Sequence, residues 1–295
     1  MAILKYRVFH AVVEAGSLTK AAETLNMTQS GVSHVLSGLE SEMGFSLLIR
    51  GRSGVSLTSN GERMLKCIRD TLRSEDRLRE EVAAIKGLER GQVRIGTFTS
   101  VSAQWLPGMI KEFQLCHPAL DIRLAEGDYD EIGRWIINGS VDFGFLSLPA
   151  PPSLETIPLV KDEMLCILPM GHPLQDQRKI SFEQIKEEFF IMPKWGSDDD
   201  LRRILHENNV SPKIKYEVTE DQAIIAMVKN GLGISILPAM VLFGNDHGIR
   251  ALKLEKPACR TIGVACPSLK KASPAARKFL DCVPVWLKNK KLLTV

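Results

Sequence analysis

Residues 17–33 read SLTKAAETLNMTQSGVS, which is the pattern of two short helices joined by a tight turn. Ser17 and Thr28 stand where helix N-caps are expected, because their hydroxyls can accept a hydrogen bond from the first turn of a helix. Ala21 and Ala22 are small enough to let the two helices approach closely. The stretch therefore predicts a helix-turn-helix.

The flanking sequence extends this motif on both sides. Apolar residues at helical spacing predict a first helix at 4–15, and the helix that starts at Thr28 is predicted to run to about residue 43. Residues 45–50 and 55–58 are predicted to be strands, and the turn 51–54 between them is flanked by glycines. These features predict a β-hairpin wing, which completes a winged helix-turn-helix.

A long helix is predicted to follow the wing, since residues 58–87 hold no proline and are rich in charge. Its apolar residues keep one narrow seam, as in a two-stranded coiled coil. We expect this seam to pair with a second copy of the chain, although packing on its own chain stays open as an alternative. The seam residues are Leu65, Ile68, Leu72, Leu78, Val82 and Ile85.

Beyond residue 91 the pattern changes to alternating strands and helices, and it does so twice. Such alternation is typical of parallel sheets covered by helices, so it predicts two α/β lobes. A final helix at 275–287 is expected to return to the first lobe. The first set is 92–98, 103–116, 119–125, 129–138 and 141–146, and the second is 163–169, 189–192, 198–208, 213–218, 221–230 and 233–237.

The composition favours a soluble protein of two or three domains: the chain has 295 residues, 44% of them hydrophobic and 25% charged, with a net charge of +3. The most apolar window, 223–244, is interrupted by polar residues, glycines and a proline, and the N-terminus lacks a signal peptide, so a cytoplasmic location is expected.

The six cysteines form no CxxC pair, which favours reduced thiols and leaves a redox or metal role as the alternative. No nucleophile elbow, P-loop or HExxH motif is present, so neither catalysis nor a cofactor is expected.

The first sixty residues carry a specific resemblance: the chain resembles LysR-type transcriptional regulators. The resemblance implies an α/β protein with a winged helix-turn-helix, a long linker helix and a two-lobed effector domain like that of periplasmic binding proteins. Ser30 and Leu48 depart from the family, which often has Pro and Phe there. The matching residues are Phe9, Val12, Glu14, 16–19, Ala21, Ala22, Leu25, 28–30, Val32, Ser33, Leu39, Glu40, Arg50, Leu57, Thr58 and Gly61, joined later by 141–144 and 231–234.

The third helix is expected to enter the major groove of double-stranded promoter DNA N-terminus first. Gln29 suits a bidentate pair with adenine, and His34 suits a phosphate or guanine. Ordinary solvated surface residues remain the alternative for both, and Thr28 is expected to act as a cap. The predicted DNA-binding residues are Thr28, Gln29, Ser30, Ser33 and His34, with Arg50 and Arg52 of the wing, and Lys5, Arg7 or Lys20 on the flanks, as phosphate contacts.

Ligands of open α/β sheets bind beyond the carboxyl ends of strands, where helices begin. Three hydroxyls cluster in the turn 99–102, and they suit an anionic effector group such as a carboxylate, although plain helix capping would use the same residues. The second lobe offers a cation and an aromatic ring in the turn 194–197. The predicted effector-binding residues are Thr99, Ser100, Ser102, Asp128, Phe145, Lys194, Trp195 and Thr219.

These observations predict a DNA-binding domain at 1–58, a dimerising linker helix at 59–90 and an effector domain at 91–295. Within the last, lobe I is expected at about 91–161 plus 267–295 and lobe II at about 162–266. The resemblance also implies a homotetramer. In it, an effector bound in the cleft changes the relative orientation of the lobes, and this changes the bending of the promoter DNA. Two alternatives stay open. One is a small-molecule carrier that uses its N-terminal helices only to oligomerise, and the other is an enzyme acting through Asp128 and Glu220.

Overall fold

The computed structural model describes residues 2–51, 54–86, 90–194, 199–244 and 247–294. Backbone packing divides the chain into two compact units. The first is Met1–Gly91 with Asn138–Ser140, and the second is Gln92–Ile137 with Val141–Val295.

The first unit contains the predicted winged helix-turn-helix and the long helix that follows it. Thr28 caps the third helix as expected, because its Oγ1 accepts from the N–H of Gly31 at 3.1 Å. Gly44 ends that helix in the left-handed region, with a φ of 76° that favours glycine. The elements are α1 Ala2–Ala15, α2 Leu18–Thr24, α3 Gln29–Met43, β1 Leu48–Gly51, β2 Gly54–Leu57 and α4 Ser59–Ile85.

The core of this unit lies between the first three helices and the first half of α4. Phe9, Leu36 and Ile68 are among its buried side chains. Strands β1 and β2 pair antiparallel as a hairpin. Glu40 of α3 fastens that hairpin, because its Oε1 accepts the N–H of Leu47 at 2.7 Å and also the N–H of the next residue at 3.1 Å.

The second unit contains two lobes of strands and helices, as the alternation predicted. Its elements in chain order are β3 Gly91–Thr97, α5 Thr99–Gln104, α6 Leu106–Cys116, β4 Leu120–Glu126, α7 Tyr129–Asn138, β5 Phe143–Leu148, β6 Glu155–Pro169, β7 Lys179–Ile180, α8 Phe182–Glu187, β8 Phe189–Pro193, α9 Asp199–Glu207, β9 Lys213–Val218, α10 Asp221–Lys229, β10 Ser235–Pro238, α11 Ala239–Leu242, β11 Ile249–Leu254, β12 Cys259–Cys266, the 3₁₀ turn Leu269–Lys271 and α12 Pro274–Asn289.

The pairing of the strands differs from the purely parallel sheets that the alternation predicted. β3 with β5 and β8 with β9 are parallel, but β12 runs antiparallel to both β5 and β6, and β10 and β11 run antiparallel to β6. The strands β11 and β12 were not predicted. Residues 255–258 join them, and the two strands follow one another along β6 in the same direction, both antiparallel to it.

The helix predicted at 103–116 is divided in two. α5 begins earlier, at Thr99, and α6 begins anew at Leu106 after a break at Trp105. Pro107 lies in the first turn of α6, the one part of a helix that tolerates a residue without an N–H.

Each lobe has its own core, and the strand β6 contributes to both. Leu159 lies in the core of the first lobe, whereas Met164 and Cys166 lie in that of the second. The strand β12 adds Ile262 and Val264 to the first core, although the sequence analysis had assigned these residues to lobe II.

Candidate functional site

The first turns of α3 present a polar surface to solvent. Gln29, Ser30 and His34 are all exposed. Thr28 is exposed as well, but its hydroxyl is occupied by the cap on α3 and lies 3.2 Å from the hydroxyl of Ser30. The side chains of Gln29, Ser30 and His34 are therefore accessible to a partner, whereas Thr28 serves as the N-cap of α3.

The wing arginine Arg50 lies against α3. Its Nη1 donates to the Oγ of Ser33 at 3.1 Å, and its Nη2 donates to Oε2 of Glu40 at 3.4 Å. Because a guanidinium can only donate, Ser33 accepts and keeps its own hydrogen for another partner. Arg52, the other predicted wing contact, lies outside the described residues.

Two of the flanking cations are committed to ion pairs within the first unit. Lys5 pairs with Glu42, and Arg7 donates to Glu75 at 2.7 Å and to Asp76 at 3.1 Å. Partial burial acts to lower the pKa of Arg7, but the hydrogen bond and charge of Glu75 outweigh it and raise that pKa. These pairs tie α1 to α3 and α4.

In the second unit, the three hydroxyls of the turn 99–102 do not converge on one point. Ser100 is buried, and its Oγ accepts from Nη2 of Arg260 at 2.8 Å. Thr99 donates to Oε1 of Glu126 at 3.0 Å, and Ser102 donates to the hydroxyl of Thr97 at 3.3 Å. Only Ser100 faces the buried cluster described next.

The other predicted effector residues of the first lobe have local roles. Asp128 accepts from the N–H of Glu131 at 2.7 Å, and the Glu131 carboxylate accepts from the N–H of Asp128 at 3.2 Å, so the two cap α7 reciprocally. Phe145 is fully buried and packs edge-to-face against Trp105 and Phe143 in the core.

In the second lobe, Lys194 and Thr219 are exposed, at the end of β8 and between β9 and α10. The backbone N–H of Lys194 donates to the carbonyl of Val218 at 2.9 Å, which joins these two strand ends. Trp195 lies outside the described residues.

This region is organised around a buried arginine that was not among the residues predicted from the sequence. Arg260 of β12 is 3% exposed, and its Nε and Nη2 donate to Oδ2 of Asp162 at 2.9 and 2.8 Å. Its Nη1 donates to the hydroxyl of Tyr129 at 2.8 Å, and its guanidinium lies 5.1 Å from the ring of Phe98. Asp162 is itself 6% exposed and also accepts from the N–H of Met240 at 3.1 Å.

This network sets the direction of two hydroxyls. Arg260 offers no acceptor, so Ser100 and Tyr129 both accept from it and each retains a hydrogen to donate elsewhere. Burial raises the pKa of Tyr129 to about 12, so its hydroxyl stays protonated at neutral pH. Burial acts to lower the pKa of Arg260, but Tyr129 and Asp162 outweigh it and raise that pKa.

One signal in the sequence could have revealed Arg260. It is the one charged residue of the strand Cys259–Cys266, and a charged residue in a buried strand is seldom tolerated without a partner. The partner could not be found the same way, because Asp162 lies 98 positions earlier in the chain.

A cavity of about 530 Å³ opens beside Tyr129 in the second unit. Two polar atoms of its lining residues, Oγ of Ser147 and Oδ2 of Asp200, are buried without a hydrogen-bond partner among the described residues. The other oxygen of Asp200 accepts from Arg203 at 3.1 Å. The lining consists of Tyr129, Asp130, Gly133, Arg134 and Ile137 of α7, the segment 146–151, and Asp199, Asp200 and Arg203 of α9.

Within the described ranges, no cluster of three or more His, Cys, Asp or Glu side chains is arranged to hold a metal ion. The same part of the chain has no helix that is both long and apolar enough to cross a membrane.

Comparison with known proteins gives matches over both units. Residues 3–62 match the model for bacterial regulatory helix-turn-helix proteins of the lysR family, and residues 86–286 match the LysR substrate binding domain. The chain is 34% identical over 285 residues to the uncharacterized HTH-type transcriptional regulator YvbU of Bacillus subtilis, covering 95% of this chain and 97% of that protein. It is 32% identical over 283 residues to the probable HTH-type transcriptional regulator LrrA of Synechococcus elongatus, covering 95% and 96%.

A solved structure shares the fold over nearly the whole chain. A variant of full-length OxyR from Pseudomonas aeruginosa superposes with a TM-score of 0.79 at 21% identity, covering 98% of this chain and 95% of that one.

Proposed function

The chain belongs to the LysR family of transcriptional regulators, and from this we propose that it reads a promoter through α3 under the control of a small anionic effector bound between its two lobes. The protein is a DNA-binding regulator with an effector-binding domain, in a family of regulators and not of enzymes. The base contacts, the mode of assembly and the nature of the effector are the parts proposed.

The reading surface is supported by the exposure of Gln29, Ser30 and His34 on one end of α3. Gln29 would pair with adenine in the major groove, while Ser33 would donate the hydrogen that its bond with Arg50 leaves available. Thr28 would hold the start of the helix in shape. Arg50 and Arg52 would contact phosphates, which position the domain without reading sequence.

Dimerisation through α4 is supported by a change in burial along its apolar seam. Leu65, Ile68 and Leu72 are buried within the first unit, whereas Leu78 is 64% exposed and Ile85 is 85% exposed. A helix with such a seam is stabilised when a second copy covers it. We therefore divide the chain functionally into a DNA-binding domain at 1–58, a dimerising helix at 59–90 and an effector domain at 91–295. Paired effector domains would build a homotetramer.

The effector would lie in the cleft between the lobes of the effector domain. The hydroxyls of Ser100 and Tyr129 each have a hydrogen to donate, which favours an acceptor such as a carboxylate. Thr99, Ser102 and Asp128 would lie at this end of the site, and Phe145 would support it only from the core. Lys194, Trp195 and Thr219 would contribute from the second lobe.

Control of transcription would follow from differential binding. An effector that binds one arrangement of the lobes more tightly shifts the population toward it, and the coupling to DNA affinity is reciprocal. A dimer of reading helices would contact half-sites about 34 Å apart, or a multiple of that distance.

Genomic footprinting with the full-length protein over a salt titration tests this function. We expect protection of sites with two-fold symmetry that persists at salt concentrations where non-specific binding is lost. Binding without sequence preference at every salt concentration would overturn the proposal and favour a small-molecule carrier instead.

A further inference from the structure

The cavity beside Tyr129 contains two buried polar atoms that still need partners. Ser147 is 9% exposed and Asp200 is 6% exposed, and neither Oγ of the former nor Oδ2 of the latter has a hydrogen bond among the described residues. Burying a polar atom without a partner costs its full desolvation, so such atoms are normally paired in folded proteins. A ligand that fills the cavity can supply the missing bonds.

The chemistry of Asp200 specifies one end of that ligand. An ionised carboxylate only accepts hydrogen bonds, and one of its oxygens is already occupied by Arg203. The lining holds three acidic residues, Asp130, Asp199 and Asp200, against two basic ones, Arg134 and Arg203, which leaves a formal charge of −1. The free oxygen of Asp200 therefore favours a donor that carries positive charge.

A second carboxyl of this lobe, Asp221, acts electrostatically on Tyr129 as Asp200 does. Asp221, at the start of α10, has its pKa raised by burial, and the opposing attraction of Arg260 does not compensate. These acidic groups therefore share one environment with the cavity.

The opposite end of the ligand is specified by the first lobe. Tyr129 lines the cavity, and its hydroxyl accepts from Arg260 at 2.8 Å, so its hydrogen is available to an acceptor. Ser147 lines the same cavity and offers a second hydrogen through its unpartnered hydroxyl. Two hydroxyl donors suit a carboxylate.

We propose that the effector is an α-amino acid, with its carboxylate accepting from Tyr129 and Ser147 and its ammonium donating to Asp200. A volume of about 530 Å³ is within the range of small-molecule sites and accommodates an amino acid with its side chain. This inference rests on the proposed function and revises its anionic effector to a zwitterion, in which the carboxylate is the anionic group.

The test measures the thermal unfolding midpoint of the full-length protein with each of the twenty common L-amino acids at millimolar concentration. We expect at least one of them to raise the midpoint, since a ligand that binds only the folded state stabilises it. For that amino acid, calorimetric titration should show binding about tenfold weaker or worse when the ammonium is replaced by hydrogen or by hydroxyl.

Variants assign the effect to the cavity. Asp200→Asn should weaken binding of the amino acid about tenfold or more, because a charge-assisted bond is lost. Asp176→Asn makes the same chemical change at an exposed aspartate of the same lobe, and it should leave the affinity for the amino acid unchanged. Circular dichroism and the unliganded midpoint show that both variants are folded.

Two results would overturn the inference: no amino acid in the panel raises the midpoint, or the hydroxy analogue binds as tightly as the amino acid. Footprinting on the same preparation separates this outcome from failure of the proposed function. Sequence-specific protection without amino-acid binding would contradict only the proposed ligand class. Absence of specific protection would contradict the proposed function itself.

Discussion

Arg260 and Asp162 form an ion pair inside the second unit, with both side chains less than a tenth exposed and Nη2 lying 2.8 Å from Oδ2. Their strands, β12 and β6, are neighbours in the sheet, and the pair also holds Ser100 and Tyr129 through the remaining guanidinium bonds.

Arg260→Met should therefore lower the free energy of unfolding by about 3–5 kcal/mol, because it leaves the Asp162 carboxylate buried without its partner. Chemical denaturation of the full-length protein measures this loss. Combining it with Asp162→Asn should recover part of the stability, since no buried charge then remains. A double variant less stable than Arg260→Met alone would contradict this account.

Gly61 and Gly38 make a matched pair on helices of the first unit. A Cβ at Gly61 would lie 2.1 Å from the carbonyl oxygen of Leu47, whereas the nearest atom to a Cβ at Gly38 is Nζ of Lys5 at 3.7 Å. Gly61→Ala should cost about 1–3 kcal/mol through overpacking, and Gly38→Ala should gain about 0.5–1 kcal/mol through helix propensity. Thermal unfolding of both variants measures these changes in stability. Equal changes for Gly61→Ala and Gly38→Ala would refute the packing argument.

Gln29→Ala should weaken binding to the footprinted site by about 1–3 kcal/mol while leaving non-specific binding unchanged, because it removes a base contact and no charge. Fluorescence anisotropy against specific and scrambled duplexes measures the difference. Gln114→Ala, which truncates an exposed glutamine of α6, serves as the control. If Gln29→Ala weakens binding to both duplexes equally, Gln29 does not contribute to sequence recognition.

Replacing Leu78 and Val82 together by Asn should halve the mass of the assembly in sedimentation, since both side chains are exposed on the seam of α4 and a partner helix would bury them. Met170→Asn removes another exposed apolar side chain, in a turn of the second unit, and should leave the mass unchanged. An unchanged mass for the α4 variant would assign dimerisation to another surface.

Asp221→Asn should raise the free energy of unfolding at pH 7. Burial raises the pKa of Asp221 in the folded state, so the folded protein binds this proton more tightly than the unfolded chain. Stability then falls as pH rises through the interval between the unfolded and folded pKa values, and the variant escapes that loss. The stability advantage of Asp221→Asn should disappear below the unfolded pKa, where Asp221 is protonated in both the folded and the unfolded protein. Asp176→Asn is the control in denaturation curves across pH.

The helix-turn-helix could be predicted from the sequence because its signals are local. The caps at Ser17 and Thr28 and the stop at Gly44 act within a few residues of the turns they define. The two lobes followed from strand-helix alternation in the same way.

The centre of the second unit could not be predicted because it depends on distant pairing. Arg260 meets Ser100 across 160 positions, and it does so only because β12 returns antiparallel beside β5 and β6. Periodicity cannot reveal such a return. Phe145 illustrates the same problem, since its position at a strand end suggested a binding role while its side chain lies in the core.

The continuity of β6 has a mechanical consequence. Its residues 155–163 pair with β12 and its residues 164–169 pair with β10 and β11, so one unbroken strand belongs to both lobes. A rotation of one lobe against the other must then be absorbed as torsion along this strand. Torsion of a continuous, paired strand opposes such a rotation, so this linkage limits how far the two lobes can turn against each other.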